Sequence, residues 1–551
     1  MKTTKLIFTS INLLSILFLS TLVFVACEDD NDVTVDQEVR MFRPVLNENL
    51  FTEGNEIIVN MGKLKSAISY NLEVSRDSFA TIDYSISTDT NYVRINKDLV
   101  GEELFWNALY QVRGQAIHAN EQFNSQMAEF GTVRTEKFPS ILFTPSVYDV
   151  TDIAARVTWE LLGANVTQVK AYAATDLKLT TPLLVHEVTQ ADQESGETVV
   201  SGLQASTAYQ LAIYSGETLR GWENFTSLAA DIDPTGADII DLRDATSTSD
   251  LQTALATAPE GAVLLVSHGS EHIIDAPSPI NSSFTIRAAL GFGKQKARVF
   301  MPANFDLEAG ATVDHIRFNN LELRGSDWSA KYVMNISQAG TIGEMRFDNC
   351  YITNHRGVFR IKTNGVTMNN YIINESIVDS IGSYAVVTQD KNGSVLNNIS
   401  FSKSTFNHLQ YYFIVSRNNS ETITIEDCTI ANVTDGRELF RYRESGLDQV
   451  TGGITISNTI LGRRWDYANA ELYSVKGVQG LDETVFNVSN CFSTTDLSWE
   501  GDNAVPNFPL GNAGATQEDL WVDPTNSDFH FKDKGFIGRT SAGDPRWREE
   551  F

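Results

Sequence analysis

Apolar and polar residues recur in one short pattern through the second half of the chain. Each copy reads apolar, polar, polar, small, any, apolar. The seven copies begin at Phe318, Phe347, Ile373, Phe401, Ile425, Ile456 and Val488. Their starts are 29, 26, 28, 24, 31 and 32 residues apart, which suits a coil of three short strands better than a helical repeat or a propeller blade. The pattern therefore predicts a parallel β-helix.

The cysteines support this register. Three of the four, Cys350, Cys428 and Cys491, occupy the fourth position of their copies. Neighbouring coils of a β-helix are about 4.8 Å apart, so Cys428 and Cys491, two coils apart, should lie about 10 Å from each other. A disulfide requires Cα atoms within about 7 Å. We therefore predict three buried free thiols.

The region before the repeats alternates in period two, with turn residues between the runs, which is typical of antiparallel sandwiches. Residues 69–77 and 109–116 resemble fibronectin type III strands, and residues 202–209 resemble the tyrosine-corner region of that fold. The resemblance implies one module over residues 39–136 and a second over 137–231. They could bind sugars, but we expect spacers, since a fold alone does not confer function.

The β-helix is expected over residues 237–551. Residues 248–255 predict a short helix that would cover the edge of the first coil, and residues 261–266 predict the first strand. Together they resemble the entry of pectin-lyase-like right-handed β-helices. Residues 523–547 resemble the end of an uncharacterised Bacteroidetes lipoprotein family with fibronectin-like modules before such a domain. The predicted fold is all-β: two fibronectin type III-like β-sandwiches followed by a right-handed parallel β-helix.

The N-terminus has the pattern of a targeting segment. Lys2 and Lys5 precede an apolar run that ends at Ala26, and Cys27 is followed by an acidic cluster. The run resembles a lipoprotein signal peptide over residues 1–26, although Phe24 replaces the usual leucine. The resemblance implies a lipidated Cys27, an acidic linker over residues 27–38, and location at the outer membrane on the cell surface. An uncleaved signal anchor is the alternative.

The charge of the chain excludes some partners. A formal net charge of −28 argues against nucleic acid and anionic lipid surfaces as general partners. Against this background, a second recurring strand carries basic residues at outward positions. Aligned by their ends, the strands stack Lys362, Gln389, Arg417, Arg443 and Lys476, with Arg360 and Arg441 two residues earlier on the same face.

Two explanations for this basic stripe remain open. Local neutralisation by Asp390, Glu421, Glu438 and Glu444 would make it a set of surface ion pairs. Alternatively, five rungs span about 19 Å, which is long enough for several sugar rings, and guanidinium groups bind carboxylates in a bidentate manner. Trp465 and Tyr467, in a loop that also carries two arginines, are candidate sugar platforms.

The hypothesis from these residues is a surface lipoprotein that binds an acidic, uronate-containing polysaccharide, with other surface glycan-uptake proteins as further partners. A polysaccharide lyase in the same groove and a surface scaffold or adhesin are the alternatives. We predict no metal site and no cofactor, with calcium relevant only to a lyase, because the third positions of the copies resemble an asparagine ladder. Catalytic residues are not assigned, and the histidines are taken as structural.

Overall fold

The computed structural model describes residues 39–468 and 470–548. The predicted signal peptide, the acidic linker and Cys27 lie outside the described residues. The chain divides into one unit that ends at Ser140 and a second that begins at Ile141.

The first unit is a sandwich of a three-stranded and a four-stranded antiparallel sheet. The strands of the smaller sheet, in spatial order, are Phe51–Glu53, Glu56–Asn60 and Tyr92–Ile95. Those of the larger sheet are Tyr84–Thr88, Ser69–Ser75, Leu109–Ile117 and Ala128–Arg134. A short helix, Lys97–Val100, and a 3-10 turn, Glu121–Phe123, lie between strands. Alternate residues such as Leu72 and Val112 are fully buried between the sheets, as period-two patterning requires.

The second unit begins with another sandwich. Its two-stranded sheet pairs Ala154–Thr158 with Glu197–Ser201, and its four-stranded sheet has the order Pro182–Glu187, Gln168–Ala173, Ala208–Ser215 and Thr218–Thr226. The helix Gln190–Ser195 precedes one edge strand. Trp159 is buried in the core of this sandwich.

A tyrosine corner occurs in both sandwiches. The hydroxyl of Tyr110 accepts a hydrogen bond from the Phe105 N–H at 2.9 Å, and that of Tyr209 accepts from the Gln204 N–H at 2.9 Å. Each tyrosine stands at the start of a central strand and bonds to the backbone five residues upstream, as in immunoglobulin-like sandwiches. Both modules are fibronectin type III-like.

From Ile239 onward the second unit is a parallel β-solenoid of about ten turns. Three parallel sheets, here named A, B and C, run along it. Sheet A contains, in order, Ile239–Leu242, Ala262–Val266, Phe284–Ala288, Thr312–Asn319, Gly340–Asp348, Val366–Asn374, Val395–Ser402, Thr422–Glu426, Ile454–Ser457 and Phe486–Ser489. Sheet B contains Glu271–Ile273, Ala297–Met301, Leu321–Gly325, Tyr351–His355, Ile377–Ile381, Thr405–Leu409, Thr429–Ile430, Ile460–Leu461 and Phe492–Ser493. Sheet C contains Ser278–Ile280, Phe305–Leu307, Tyr332–Ile336, Gly357–Ile361, Val387–Gln389, Ile414–Ser416, Glu438–Tyr442, Ser474–Gln479 and Ser498–Trp499.

The repeated pattern marks the turn from sheet A to sheet B. Its third position has a left-handed backbone in all seven copies. The residues are Asn320, Asn349, Glu375, Lys403, Asp427, Asn458 and Asn490, with φ between 47° and 56°. Asparagine and aspartate tolerate this conformation better than most residues, which explains their prevalence at the turn. The fourth position then points into the core, and Cys350, Cys428 and Cys491 are buried and free, as predicted.

Burial also sets the chemistry of the three thiols. It raises the pKa of Cys350 to about 12 and that of Cys491 to about 11. Burial raises the pKa of Cys428 as well. All three are therefore neutral core residues at ordinary pH, and each thiol donates to a backbone carbonyl, as Cys428 does to Glu426 at 3.2 Å.

The start of the solenoid differs from the prediction in one respect. The predicted helix is present as Asp250–Leu255, and Leu251 is fully buried in the solenoid core. However, Ile239–Leu242, not the strand after the helix, forms the end of sheet A, because it pairs in parallel with Ala262–Val266. The isolated Ile-Ile pair is too short to show a strand period, so the sequence did not reveal it.

The second sandwich is joined to the first coils of the solenoid by polar contacts. Asp231 accepts hydrogen bonds from the Arg287 guanidinium and from the Leu290 N–H, and the Gly293 N–H donates to the Tyr148 carbonyl at 2.8 Å. The carboxylate of Asp231 therefore links the linker after the sandwich to the sheet A end of a coil.

The C-terminal segment lies along the outer face of sheet B. It comprises the helix Gln517–Leu520, the hairpin Trp521–Asp523 with Asp528–Phe531, and the 3-10 turns Pro524–Asn526 and Pro545–Trp547. Thr405 donates to Asp544 at 2.8 Å, and Gln517 donates to Asn432 at 2.8 Å. This C-terminal segment, from Gln517 to Trp547, is here called the strap. It covers sheet B in the lower coils, which are those nearer the C-terminal end of the solenoid.

The left-handed turn gives a stability prediction at Lys403, which is exposed and has φ of 47°. Lys403→Val should lower the thermal unfolding midpoint relative to Lys403→Asn, because a β-branched residue is disfavoured at positive φ by about 1–2 kcal/mol. Both variants lose the exposed pair with Glu375, so that loss cancels in the comparison. Equal midpoints, followed by circular dichroism, would contradict the role of the turn.

Candidate functional site

The outward residues of sheet C form two rows. In the first, Arg360 lies opposite Thr388, and Val415 lies opposite Arg441. The second row lies two residues further on and contains Lys362, Asp390, Arg417 and Arg443. Backbone bonds fix it: the Asp390 N–H donates to Ile361 at 2.9 Å, and the Arg443 N–H donates to Ser416 at 3.2 Å. Arg417 and Arg443 are therefore neighbours on adjacent coils, as the sequence predicted.

The predicted outward position of Gln389 is wrong. Gln389 lies opposite Ile361 and is fully buried. Its amide donates to the backbone carbonyls of Lys391 and Ser394, and it accepts from the Ser416 hydroxyl at 2.6 Å. Aligning the coils by their ends shifted this strand by one residue, and a shift of one residue moves a side chain to the opposite face.

The predicted place of Lys476 in the stack is also wrong. Lys476 lies opposite Glu438, not beside Arg443, and its amine is 3.4 Å from Glu500. The loop before it is longer than in the other coils, so Lys476 stands near the start of its strand, whereas the other basic residues stand at or just beyond the ends of theirs.

Ion pairs surround the four arginines Arg360, Arg417, Arg441 and Arg443, here called the arginine cluster. Asp390 lies between Arg360, at 2.7 Å, and Arg443, at 3.1 Å. Arg417 pairs with Glu444 at 3.0 Å, and Arg441 with Glu438 at 3.7 Å. Local neutralisation is therefore present, through three of the four predicted carboxylates. Lys362 is exposed, and its amine has no ion pair among the described residues.

The neutralisation is incomplete at Arg443. Burial lowers the pKa of Arg443, and the positive charges of Arg417 and Arg441 lower it further, against the attraction of Asp390. Its Nε is buried and has no hydrogen-bond partner within the part of the chain that the structure describes. Burial is the largest single influence on the pKa of Arg360 and lowers it, but the hydrogen bond with Asp390 and the negative charge of Asp390 act together with Tyr332 and Tyr384, so the net shift is upward. The positive charge of Arg443 is thus incompletely neutralised by the carboxylates of the cluster.

Aromatic rings from the turn between sheets B and C adjoin the cluster. The Arg360 guanidinium lies 4.4 Å from the ring centroid of Tyr384. Arg441 lies 5.0 Å from the ring centroid of Tyr412 and donates to its hydroxyl at 2.6 Å. Guanidinium groups are stabilised over aromatic faces, so these tyrosines help to hold the arginines in place.

The predicted residues Trp465 and Tyr467 lie at the same corner of the solenoid. Trp465 is half-buried and Tyr467 is 47% exposed. Their ring centroids are 5.2 Å apart, and Trp465 also contacts His408. The corner segment that runs from His408 to Tyr412 connects these rings with the arginine cluster.

Sequence reasoning named Asp390 as a neutralising carboxylate but missed its position between Arg360 and Arg443, and it missed the partly buried imidazole of His408 beside Trp465. For other histidines the structural assignment agrees with the geometry: His355 is fully buried, and burial lowers its pKa to about 4. His408 has a left-handed backbone, like Asn354, Ser380 and Asn432 on neighbouring coils. The sequence signal available for this left-handed turn was a polar residue that recurs directly before a buried residue.

The described ranges contain no group of three or more histidine, cysteine, aspartate or glutamate side chains placed to hold a metal ion. Over the same ranges, no helix is both long enough and apolar enough to cross a membrane.

Comparison with known proteins finds two family models that match parts of the solenoid. Residues 273–409 match the model of DUF4957, and residues 423–547 match that of DUF5123, both described as domains of unknown function. No curated protein matches the chain. Among solved structures, the chain has 12% identity to the crystal structure of chicken CNTN1 FN1-FN3 domains, over 34% of this chain and 67% of that one, with a TM-score of 0.15.

The bridging position of Asp390 can be tested by Asp390→Asn. The change leaves Arg360 and Arg443 without their shared carboxylate in a largely buried setting, so the free energy of unfolding should fall by about 1–3 kcal/mol. Glu444→Gln, which breaks a more exposed pair, should cost less than about 1 kcal/mol. Thermal unfolding of both variants measures the difference. An Asp390→Asn midpoint equal to that of the natural protein would show that the bridge contributes nothing.

Proposed function

We propose that the β-solenoid binds an acidic, uronate-containing polysaccharide across the arginine cluster. The observation that carries this proposal is the concentration of guanidinium groups around Arg443. Arg417, Arg441 and Arg443 lie together on sheet C; Arg443 shares Asp390 with Arg360, Arg417 pairs with Glu444, and Arg441 pairs with Glu438. A ligand carboxylate would supply the negative charge that Arg443 lacks, and guanidinium groups bind carboxylates with paired hydrogen bonds.

The dimensions of the surface fit an extended chain. The first outward row runs from Arg360 to Arg441 over three coil steps, which correspond to about 14 Å. Thr388 and Val415 lie between the two arginines and are themselves buried, so the ligand would contact the side chains that surround them. A short oligosaccharide would lie along this row with its carboxylates towards the second row.

The protein's own carboxylates would limit the affinity. A uronate must compete with Glu444 for Arg417 and with Asp390 for Arg443, so part of each new contact replaces an existing one. We expect modest affinity that falls as salt screens the charges. Binding through several adjacent residues of a polymer would compensate by raising the effective concentration.

We also propose that the protein is anchored at the cell surface by a lipid on Cys27, close to other glycan-uptake proteins. The lipobox-like residues 24–27 and the acidic residues after them support this. The sandwiches would act as spacers between the membrane and the solenoid.

The anchoring proposal predicts the behaviour of Cys27→Ala. The natural protein should sediment with the membrane fraction and partition into detergent, because an acyl chain adds about 0.8 kcal/mol for each buried CH₂. The variant should lose both properties. A variant that stays with membranes after a carbonate wash would favour the uncleaved signal anchor.

A polysaccharide lyase is the second candidate. The lowered pKa of Arg443 favours it, because an arginine can act as a base only in such a setting. A lyase would convert the ligand to unsaturated uronate products, which absorb ultraviolet light, whereas a binding protein would leave the ligand unchanged.

Native affinity electrophoresis tests the binding proposal. Gels that contain polygalacturonate should retard the natural protein, and Arg417→Ala with Arg443→Ala should abolish most of that retardation and its salt dependence. Asp390→Asn should change retardation in the opposite direction, because it removes the competing carboxylate.

The control is the double variant Arg317→Ala with Arg346→Ala. These two arginines also lie on adjacent coils, but on sheet A. The control loses the same charge and should bind as the natural protein does. Equal retardation of the two double variants would remove the arginine cluster from consideration.

A further inference from the structure

Three aromatic rings from distant parts of the chain meet at the corner between sheets B and C. Trp328 follows a sheet B strand of an upper coil, and Trp465 and Tyr467 follow one five coils below it. The ring centroid of Trp328 is 6.3 Å from that of Trp465 and 5.6 Å from that of Tyr467. The rings are mutually tilted by 54° to 69°, so they contact one another as a tilted cluster and not as a parallel stack.

Polar contacts on both sides of Trp465 hold its loop in place. Arg463 pairs with Asp496 at 3.2 Å and with Glu518 at 2.6 Å. Asp466 accepts from the N–H groups of Ala470 and Glu471, each at 2.8 Å. These contacts fix the loop without using the faces of Trp465 and Tyr467.

The loop of Trp328 is fixed by a close backbone approach. A Cβ atom added to Gly382 would lie 2.1 Å from the Trp328 carbonyl oxygen. Asp327 accepts from the Ser329 N–H at 2.8 Å and so closes the turn around Trp328. Both loops are therefore fixed, and their aromatic rings lie together at the corner between sheets B and C.

One oriented imidazole lies beside these rings. The Nδ1 of His408 is 3.1 Å from Asp379, and the ring centroid of His408 is 5.1 Å from that of Trp465. Asp379 is buried and also accepts from the hydroxyls of Ser380 and Ser527. The carboxylate fixes the imidazole and leaves Nε2 without a hydrogen-bond partner among the described residues.

The backbone does not require histidine at this position. Asn354, Ser380 and Asn432 occupy the equivalent left-handed position on neighbouring coils. The turn alone therefore does not explain why residue 408 is a histidine.

We propose that Trp328, Trp465, Tyr467 and His408 form a separate subsite for an uncharged pyranose ring. The apolar face of the sugar would stack on Trp465 or Tyr467, and Nε2 of His408 would bond a ring hydroxyl. The subsite deepens the proposed glycan binding, but it uses none of the four residues of the arginine cluster. The segment from His408 to Tyr412 would let one mixed polysaccharide reach both sites.

The test is affinity electrophoresis of the full-length protein in gels that contain, separately, xyloglucan, galactomannan, arabinogalactan and polygalacturonate. At least one neutral gel should retard the natural protein. Trp465→Ala and His408→Asn should each weaken that retardation at least fivefold, and Trp465→Phe should restore most of it. His408→Asn keeps a residue that the turn accepts, so its fold should be intact, which a thermal midpoint checks.

Two controls separate this subsite from the acidic site. Tyr92→Ala removes a ring that is 50% exposed on the first sandwich and should change nothing. Arg417→Ala with Arg443→Ala should leave neutral retardation intact. Absence of retardation in all three neutral gels, or equal retardation of Trp465→Ala and the natural protein, would overturn the subsite. If polygalacturonate still retards the protein in that case, the acidic site stands alone; if only neutral gels retard it, the acidic site fails and the subsite stands.

Discussion

Every coil of the solenoid must turn from sheet A into sheet B at the same point in its register as the neighbouring coils. Parallel backbone hydrogen bonds join the coils and require this alignment. One residue with a left-handed backbone makes that turn in each of the seven copies. It reverses the chain direction locally and points the next side chain, such as Cys428, into the core. The turn therefore determines which residues are buried and which remain outside on all three sheets.

The candidate sites are consequences of this register. Arg417 and Arg443 are neighbours because Ser416 pairs with Tyr442 one residue earlier, and repulsion between such close guanidinium groups is tolerated because Asp390, Glu438 and Glu444 offset it. The aromatic corner depends on the same stacking, since loops from coils far apart in sequence meet over His408. The strap from Gln517 to Trp547 covers the lower part of sheet B, so a ligand bound at those coils would lie on sheet C or its corners.

The sequence was sufficient for features that repeat and insufficient for features that occur once. The seven copies of the pattern predicted the coils and the free thiols, because any error in register would have placed cysteines outside the core. Gln389 and Lys476 were misplaced because coil lengths vary where loops differ, and strand ends are poor markers when one residue reverses a face. The strand Ile239–Leu242, the strap and the pair of Asp379 with His408 depend on contacts over long sequence separations, which no local period encodes.

The central proposal is that an acidic glycan binds across the arginine cluster on the outer face of sheet C. Hydrogen–deuterium exchange with mass spectrometry, with and without oligogalacturonate, tests it most directly. The account predicts ligand-dependent protection confined to peptides that cover residues 384–392, 408–417 and 436–444. Protection centred on the sandwiches or on sheet A would contradict it, as would unchanged exchange at ligand concentrations that saturate retardation in gels.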